Sequence, residues 1–399
     1  MILENFPAAR SNALLRLSHF APRAGHAYAS GRNTDPGPEE AGAVSKLSPY
    51  LRYRLITEQE VVGAALGQHS LPAAEKYVQE VLWRTYWKGW LEMRPSVWTQ
   101  FVDERDRQRD SFPNARAIRS AEAGETGIEG FDDWARELVS TGYLHNHARM
   151  WFASIWIFTL RLPWALGADF FLRHLVDADP ASNTLSWRWV AGLQTAGKTY
   201  LATADNIARY TNGRFAPKGL ATTAALPADT GLPPLSPLPQ TAHYDPHKPA
   251  FLLVTPEDLH PESVFGAPAK IGGAAVVCDP ETLWGDKARL FVRAAATETA
   301  SRVSEAFKCP VIVLDSMGAA ALAAQARQSG AQQIITAYAP VGPVADALAN
   351  LTPVLASEGI PLVQVRRSWD ENFWPHATKG FFPFKERIPK ILKEIGLSR

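Results

Sequence analysis

Two groups of side chains in this sequence could do chemistry, and both lie in apolar, aromatic-rich surroundings. In the first group an amide and a cation, Asn146 and Arg149, are followed by two carboxylates one residue apart, Asp177 and Asp179. Buried Arg and Asp are rare unless they are paired, and burying them unpaired is costly in free energy. This stretch therefore favours a ligand pocket over a plain core.

The second group lies in VQEVLWRTYW (78–87), which has the apolar spacing of a helix. Glu80 and Arg84 are four residues apart, so they could simply form an ion pair on one helix face. Trp83 could likewise be an anchor of the core. From these residues alone, a ligand site and an ordinary helix both stay open.

Two further patterns also allow ordinary explanations. In VSKLSPYL (44–51), Ser45 and Ser48 are suitable N-cap residues, and the free amides at a helix start bind anions such as phosphate. Two plain capping serines are the alternative. The pair Asp177 and Asp179 could be a solvated helix end, or a metal site, although further oxygen ligands at suitable spacing are missing.

The elements that must position these groups change along the chain. Residues 1–215 are predicted to be almost entirely helical, and the proline-rich segment 216–249 is predicted to be an extended linker. Residues 250–399 alternate apolar runs with helical segments, which predicts a doubly wound parallel sheet. The predicted strands are FLLVT (251–255), AAVVC (274–278), VIVLD (311–315), QIITAY (333–338) and PLVQV (361–365).

Composition limits the protein class. A chain of 399 residues with 46% hydrophobic and 20% charged residues is long enough for two globular domains. The net charge of +1 gives no overall positive field that would indicate nucleic acid. Two widely spaced cysteines argue against a disulfide framework, a zinc site and an iron–sulfur cluster. No secretory signal or membrane span is predicted, and a cytoplasmic location is expected.

Seven motifs, taken in order, resemble the FAD-binding domain of the photolyase/cryptochrome family. They are YASGRN, VSKLSPYL, VQEVLWRTYW, GETGIEGFDDW, TGYLHNHARM, LVDADPASN and SWRW. The resemblance implies an all-helical FAD-binding domain in the first half and FAD as the cofactor. The residues that it implies for FAD binding are Tyr28, Ser45, Lys46, Leu47, Ser48, Arg84, Asn146, Arg149, Asp177, Asp179 and Asn183. Asn146 would lie beside flavin N5, and Arg149 would pair with Asp177.

The same resemblance implies a reaction. Blue light would drive an electron from reduced FAD to a cyclobutane pyrimidine dimer flipped out of DNA, and the dimer would split. The implied catalytic residues are Glu80, Trp83, Asn146, Met150 and Trp189, and the implied DNA contacts are Arg32, Glu80, Trp83, His147, Met150 and Trp189. Asn146 and Met150 stand where the (6-4) repair branch has a histidine pair, which favours the cyclobutane-dimer type. Damaged DNA would be the partner of a monomeric enzyme.

Tryptophans matching the family's electron-transfer chain are also present. The resemblance makes Trp187 the indole nearest to the flavin and Trp164 the middle one. A third, surface tryptophan is missing, since its aligned position falls near Ser111. Electrons could instead leave through Trp151 or Trp156.

The second half resembles the α/β antenna domain that usually precedes the flavin domain in this family. The matching segments are FLLVTPEDLHPES and TKGFFPFKERIPKIL. This implies that the two domains have exchanged order, with a possible antenna chromophore of unknown identity; an unrelated doubly wound domain is the alternative. For the whole chain, the alternatives to repair are a cryptochrome-like photosensor and a flavoprotein that keeps FAD only as a structural element.

Overall fold

A helical half is followed by an α/β half, as the sequence predicts. The structure, a computed structural model, describes residues 2–195, 198–225, 231–241, 243–266 and 270–398. Within these residues, no helix is both long enough and apolar enough to cross a lipid bilayer.

The helical half is built from short and medium helices around one long central helix, α6. Its helices are α1 (Ile2–Asn5), α2 (Arg10–Phe20), α3 (His26–Gly31), α4 (Ser48–Arg52), α5 (Glu58–Gln68), α6 (Leu71–Glu92), α7 (Ser96–Ser111), α8 (Ala115–Ala123), α9 (Phe131–Thr141), α10 (Asn146–Ser154), α11 (Trp164–His174), α12 (Pro180–Val190) and α13 (Ala204–Tyr210). Sequence signals fix several of the starts: Thr57 and Glu60 form a capping box ahead of α5, and Pro72 stands in the first turn of α6.

Helix α6 is the element through which both halves meet. It packs against α3, α5 and α12 of the helical half and against two C-terminal helices, α17 (Ser368–Phe373) and α18 (Phe381–Lys385). Gly89 allows the closest approach, because a Cβ at this position would lie 2.8 Å from the ring of Trp374. Much of α6 is buried, which explains why its sequence is apolar around most of its circumference.

The second half contains a parallel sheet in the order β3-β2-β1-β4-β5. Its strands are β1 (Ala250–Val254), β2 (Ile271–Val277), β3 (Val311–Leu314), β4 (Gln333–Ala337) and β5 (Leu362–Val365). Besides α17 and α18, its helices are α14 (Asp286–Phe307), α15 (Ala319–Gln328), α16 (Pro343–Ser357) and α19 (Ile388–Glu394). The predicted doubly wound fold class is confirmed, with its switch point between β1 and β4.

The two faces of the sheet belong to different cores. Leu252 and Val254 join the large core that continues into the helical half, whereas Phe251 and Leu253 pack with residues of α15 and α16. Because successive side chains of a strand point to opposite faces, one face of the sheet packs on the helical half and the other face is covered by α15 and α16.

The proline-rich segment lies between the halves. Its described residues, in 216–225, 231–241 and 243–249, form neither helix nor strand. Residues 226–230 and 242, including Pro227 of the predicted linker, lie outside the described residues. The domain boundaries at 215 and 249 stay predictions.

Candidate functional site

The predicted pairing of Arg149 with Asp177 is present where α12 packs against α6 and α10. Arg149 Nη1 lies 3.5 Å from the Asp177 carboxylate, and Arg84 Nη2 of α6 lies 3.7 Å from the same group. Arg84 Nη1 also donates to Asp179 at 2.7 Å. The two carboxylates are buried and each has a cationic partner, so the solvated-helix-end alternative is wrong.

Asp179 has a structural role as well. Its side chain accepts a hydrogen bond from Ser182 N at 2.7 Å and thereby caps α12. Burial alone would raise the pKa of Asp179, but the cations of Arg84, Lys88 and Arg52 hold the pKa well below its ordinary value. This carboxylate is therefore charged at neutral pH, and it holds α6 and α12 together.

Helix α10 presents the residues predicted to face the flavin ring and the lesion. Asn146 is the first residue of α10 and is exposed, and Met150 follows one turn later and is half-buried. His145 caps this helix by accepting a hydrogen bond from His147 N at 3.2 Å. Asn183 is different, because its amide already donates to Ala168 O at 2.9 Å.

The predicted phosphate segment borders a cavity of about 420 Å³. Ser45, Lys46 and Tyr50 line it on one side. Arg16 of α2 and Arg23 of the turn after it also line the cavity. The sequence analysis did not select these two cations. Leu47 is buried in the core, so only its backbone could face a ligand.

The expectation that Ser45 and Ser48 cap a helix is wrong. Helix α4 begins at Ser48, and its N-cap residue is Leu47, with no side-chain hydrogen bond. Lys46 has a left-handed backbone (φ 51°), which turns the chain and leaves Ser45 outside the helix. The serine hydroxyls are therefore not consumed by capping.

These residues fit a dinucleotide such as FAD. Ser48 Oγ is buried without a hydrogen-bond partner among the described residues, which is costly unless a ligand supplies one. The cations Arg16, Arg23 and Lys46 suit the negative charge of a diphosphate. Tyr28, the remaining predicted phosphate ligand, is buried and packs edge-on against Phe20.

Glu80 and Arg84 pair with partners outside α6. Glu80 pairs with Arg32 at 2.5 Å, so the alternative of a Glu80–Arg84 pair within α6 is wrong. Burial raises the pKa of Glu80 despite the neighbouring guanidinium of Arg32. Trp83 is half-buried, and the ring of Phe381 stacks on it with centroids 3.7 Å apart.

His147 and Trp189 are both in contact with Tyr200. The ring of His147 stacks on Trp151, and its Nδ1 lies 2.9 Å from the carbonyl oxygen of Asn33. Burial lowers the pKa of His147, so the ring is neutral at neutral pH. Trp189 stacks on Tyr200, whose hydroxyl lies 3.3 Å from His147 Nε2. Tyr200 thus links two predicted DNA contacts.

One of the two indoles predicted as an alternative exit for electrons contacts the indole predicted to lie nearest to the flavin. The ring of Trp187 contacts Trp156 edge-on, with centroids 6.3 Å apart. Trp164 instead contacts Phe101 and the guanidinium of Arg188. Trp156 is therefore the better placed second indole, although it is fully buried.

Sequence analysis missed a buried ion network between the halves. Arg52 makes two hydrogen bonds to Glu257, at 2.6 and 2.7 Å, and Lys88 lies 3.8 Å from the same carboxylate. Arg54 pairs with Asp370 at 2.8 Å. The only signal in the sequence is the presence of Arg52 and Arg54 within the otherwise apolar run PYLRYRLI.

The sequence of this chain is similar to those of known photolyases. Residues 77–221 match the FAD binding domain of DNA photolyase. The deoxyribodipyrimidine photo-lyase of Streptomyces griseus is 37% identical over 154 residues, covering 38% of this chain and 33% of that protein. The photo-lyase of Synechococcus sp. is 33% identical over 195 residues, covering 45% of this chain and 38% of that protein.

Solved structures with partial similarity include two proteins of the same group. A class III photolyase from Agrobacterium tumefaciens has a TM-score of 0.42 and 28% identity, covering 51% of this chain and 44% of its own. A cryptochrome from Synechocystis has a TM-score of 0.44 and 22% identity, covering 51% and 43%. The chain spans about a third to two fifths of the curated relatives named above. The sequence resemblance is confirmed for the helical half.

Proposed function

We propose that this chain, whose residues 77–221 belong to the FAD-binding domain family of DNA photolyases, is a blue-light-driven, FAD-dependent enzyme that splits cyclobutane pyrimidine dimers in DNA. One observation carries the proposal. Helix α6 carries Glu80, Trp83 and Arg84 within little more than one turn. From this turn Arg84 reaches the Asp177 and Asp179 carboxylates. A single rigid helix thus joins a lesion-recognition surface to the flavin-side residues.

The lesion side suits a flipped-out pyrimidine dimer. An aromatic ring that stacks on a base contributes about 1–3 kcal/mol, and the half-buried rings of Trp83 and Trp189 are available for such stacking. The carboxyl group of Glu80, one turn before Trp83 on α6, offers a hydrogen-bonding group to a base edge, and burial raises its pKa against the opposing guanidinium of Arg32. Flipping costs less for a damaged pair than for an intact one.

The flavin side suits a reduced cofactor. FAD, when bound, supplies the photoexcited electron that the reaction needs. Asn146 offers a neutral amide at the start of α10, and Arg149 offers a cation compensated by Asp177. Ser45, Lys46 and the free hydroxyl of Ser48 hold the phosphates, together with the cations of α2.

The α/β half completes the proposal. We assign it as the family's antenna-type domain with its position in the chain exchanged, an assignment supported by its doubly wound sheet and its attachment to α6. Cys278 and Cys309 are free and buried, which favours a reducing cytoplasm.

One observation favours the photosensor as the second candidate. The Arg32–Glu80 ion pair already engages two side chains that repair would use to contact DNA. In a sensor this ion pair would stay intact. Light would act only by driving electrons from the indoles of Trp187 and Trp156 to the flavin.

The deciding experiment illuminates flavin-loaded protein with ultraviolet-irradiated oligo(dT) in the presence of reductant. Repair predicts recovery of the 260 nm absorbance in blue light and none in darkness. Glu80→Ala and Trp83→Ala should each reduce recovery, whereas Trp98→Phe, a buried change on α7, should not. Flavin that photoreduces without recovery of absorbance would assign the protein as a sensor.

A further inference from the structure

A short C-terminal segment lies directly against the proposed lesion-recognition tryptophan. The phenyl ring of Phe381 and the indole ring of Trp83 are nearly parallel, with an interplanar angle of 11° and centroids 3.7 Å apart. Phe381 lies in α18, almost 300 residues after Trp83 in the chain. A face-to-face contact this close covers one face of the indole.

Phe381 packs against Trp83 and also against the following turn of α6. It also contacts Tyr86, which follows Trp83 by one helical turn, with centroids 5.5 Å apart, whereas Glu80 precedes Trp83 by one turn. Phe381 itself is buried in the core next to Phe384, so it is not a group suspended in an open cleft. Trp87 and Tyr86 also pack against Trp83, with centroids 5.2 and 5.6 Å away. The part of the half-buried indole that these rings leave exposed is the part available to a base.

The segment is fixed to α6 by polar contacts at both ends. Tyr86 Oη donates to the carbonyl oxygen of Lys379 at 2.7 Å, and Lys385 Nζ pairs with Glu75 at 3.0 Å. Just past α6, Arg94 Nη2 donates to Thr378 O at 2.9 Å. These contacts prevent the Phe381 ring from moving independently of the helix that carries Trp83.

We propose that Phe381 is a positioning residue for lesion recognition, holding the Trp83 indole in the orientation that stacks on a pyrimidine dimer. The inference rests on the repair function proposed above. A half-buried indole without a stacked neighbour can adopt other rotamers, and the freedom lost on binding then weakens the stacking. The α/β half would thereby contribute to lesion recognition without touching DNA at this residue.

The test measures dark binding of dimer-containing and undamaged oligonucleotides by full-length, flavin-loaded protein. Phe381→Ala should reduce the preference for the dimer about 5-fold, which corresponds to the lower end of the contribution of base–aromatic stacking, because the indole itself is retained. Phe381→Tyr retains the ring and should restore the preference. Phe384→Ala removes a buried ring of α18 that contacts Tyr86 but does not stack on Trp83, so it should lower stability and leave the preference unchanged.

A fluorine spectrum of protein labelled with 5-fluorotryptophan gives a second readout that does not depend on DNA. The Trp83 resonance, identified by its loss in Trp83→Phe, should shift in Phe381→Ala and stay in place in Phe384→Ala. The proposal is overturned if Phe381→Ala retains the wild-type preference or binds the dimer more tightly, the latter meaning that Phe381 obstructs the site. Wild-type protein without any preference for the dimer would instead refute the repair function.

Discussion

Replacing Glu257 by Gln should destabilise the protein through the ion network that joins its halves. Arg52 and Glu257 are each 3% exposed and make two hydrogen bonds to each other, and Lys88 lies 3.8 Å from the same carboxylate. Removing one partner of a buried ion pair costs about 3–5 kcal/mol. Asp179 stays 3.7 Å from Arg52 and compensates part of the charge. We therefore expect the free energy of unfolding to fall by about 3 kcal/mol, the lower end of that range.

The loss of unfolding free energy in Glu257→Gln should depend on pH, and the titration of Lys88 decides whether it grows or shrinks as pH falls. Burial lowers the pKa of Lys88 below its ordinary value of 10.5, while Asp179 and Glu257 oppose that shift. The unfolded chain therefore binds the Lys88 proton more strongly than the folded protein does. Between the lowered pKa and 10.5, stability rises with pH and is lost as pH falls. Without the Glu257 charge the pKa of Lys88 falls further, so the pH range in which stability depends on pH extends toward neutral pH. Within that range the free energy of unfolding changes by up to about 1.4 kcal/mol per pH unit.

The assay is urea unfolding of wild type and Glu257→Gln at several pH values. Glu262→Gln, which removes a less buried carboxylate that pairs with Arg302, is the matched control and should cost less than about 1 kcal/mol. Adding Lys88→Met to Glu257→Gln should recover part of the loss and remove its pH dependence. Equal effects of the Glu257 and Glu262 changes, or a loss that does not vary with pH, would refute this account of the network.

Three further changes test the candidate site. His147→Arg should steepen the dependence of log K on log salt for DNA binding by about 0.9, because it adds one cation where a neutral imidazole stands; an unchanged slope would mean that this position does not approach phosphate. Arg149→Met should weaken FAD binding about 10- to 100-fold by removing a charged hydrogen-bond donor beside Asp177, as measured by flavin fluorescence during titration, and wild-type affinity would exclude Arg149 from the site. Trp156→Phe should slow photoreduction of bound flavin more than Trp164→Phe does; the reverse order would restore the route through Trp164.

Much of the fold followed from local patterns in the sequence. Five short apolar runs predicted the five strands, with end points within a few residues of those in the structure. These patterns are sufficient because burial on both faces of a parallel sheet selects continuous apolar strands. The Arg149–Asp177 pair was implied by the resemblance and is present.

The partners of other charged residues depended on tertiary structure. Arg84 had Glu80 one turn away but pairs with Asp179, 95 residues later, while Glu80 pairs with Arg32. Arg52 and Glu257 are separated by 205 residues. Spacing along one helix predicts which side chains are able to meet, but it does not reveal a stronger partner brought in by another element.

Capping at Ser45 and Ser48 failed for a local reason. A left-handed residue, Lys46, separates the two serines, and the helix begins only at Ser48. The motif therefore resembles a capping sequence without acting as one, and the free Ser48 hydroxyl supports a ligand at this segment.

The central claim, light-driven splitting of a pyrimidine dimer, is tested most directly by a single light pulse. Flavin-loaded, fully reduced protein would be mixed without oxygen with one equivalent of an oligonucleotide that carries a single thymine dimer, and the 260 nm absorbance would be followed after each blue pulse. The account predicts a stepwise rise that never exceeds one repaired dimer per bound flavin per pulse and that Glu80→Ala diminishes. An absorbance that stays constant through repeated pulses, with FAD bound and reduced, would contradict it.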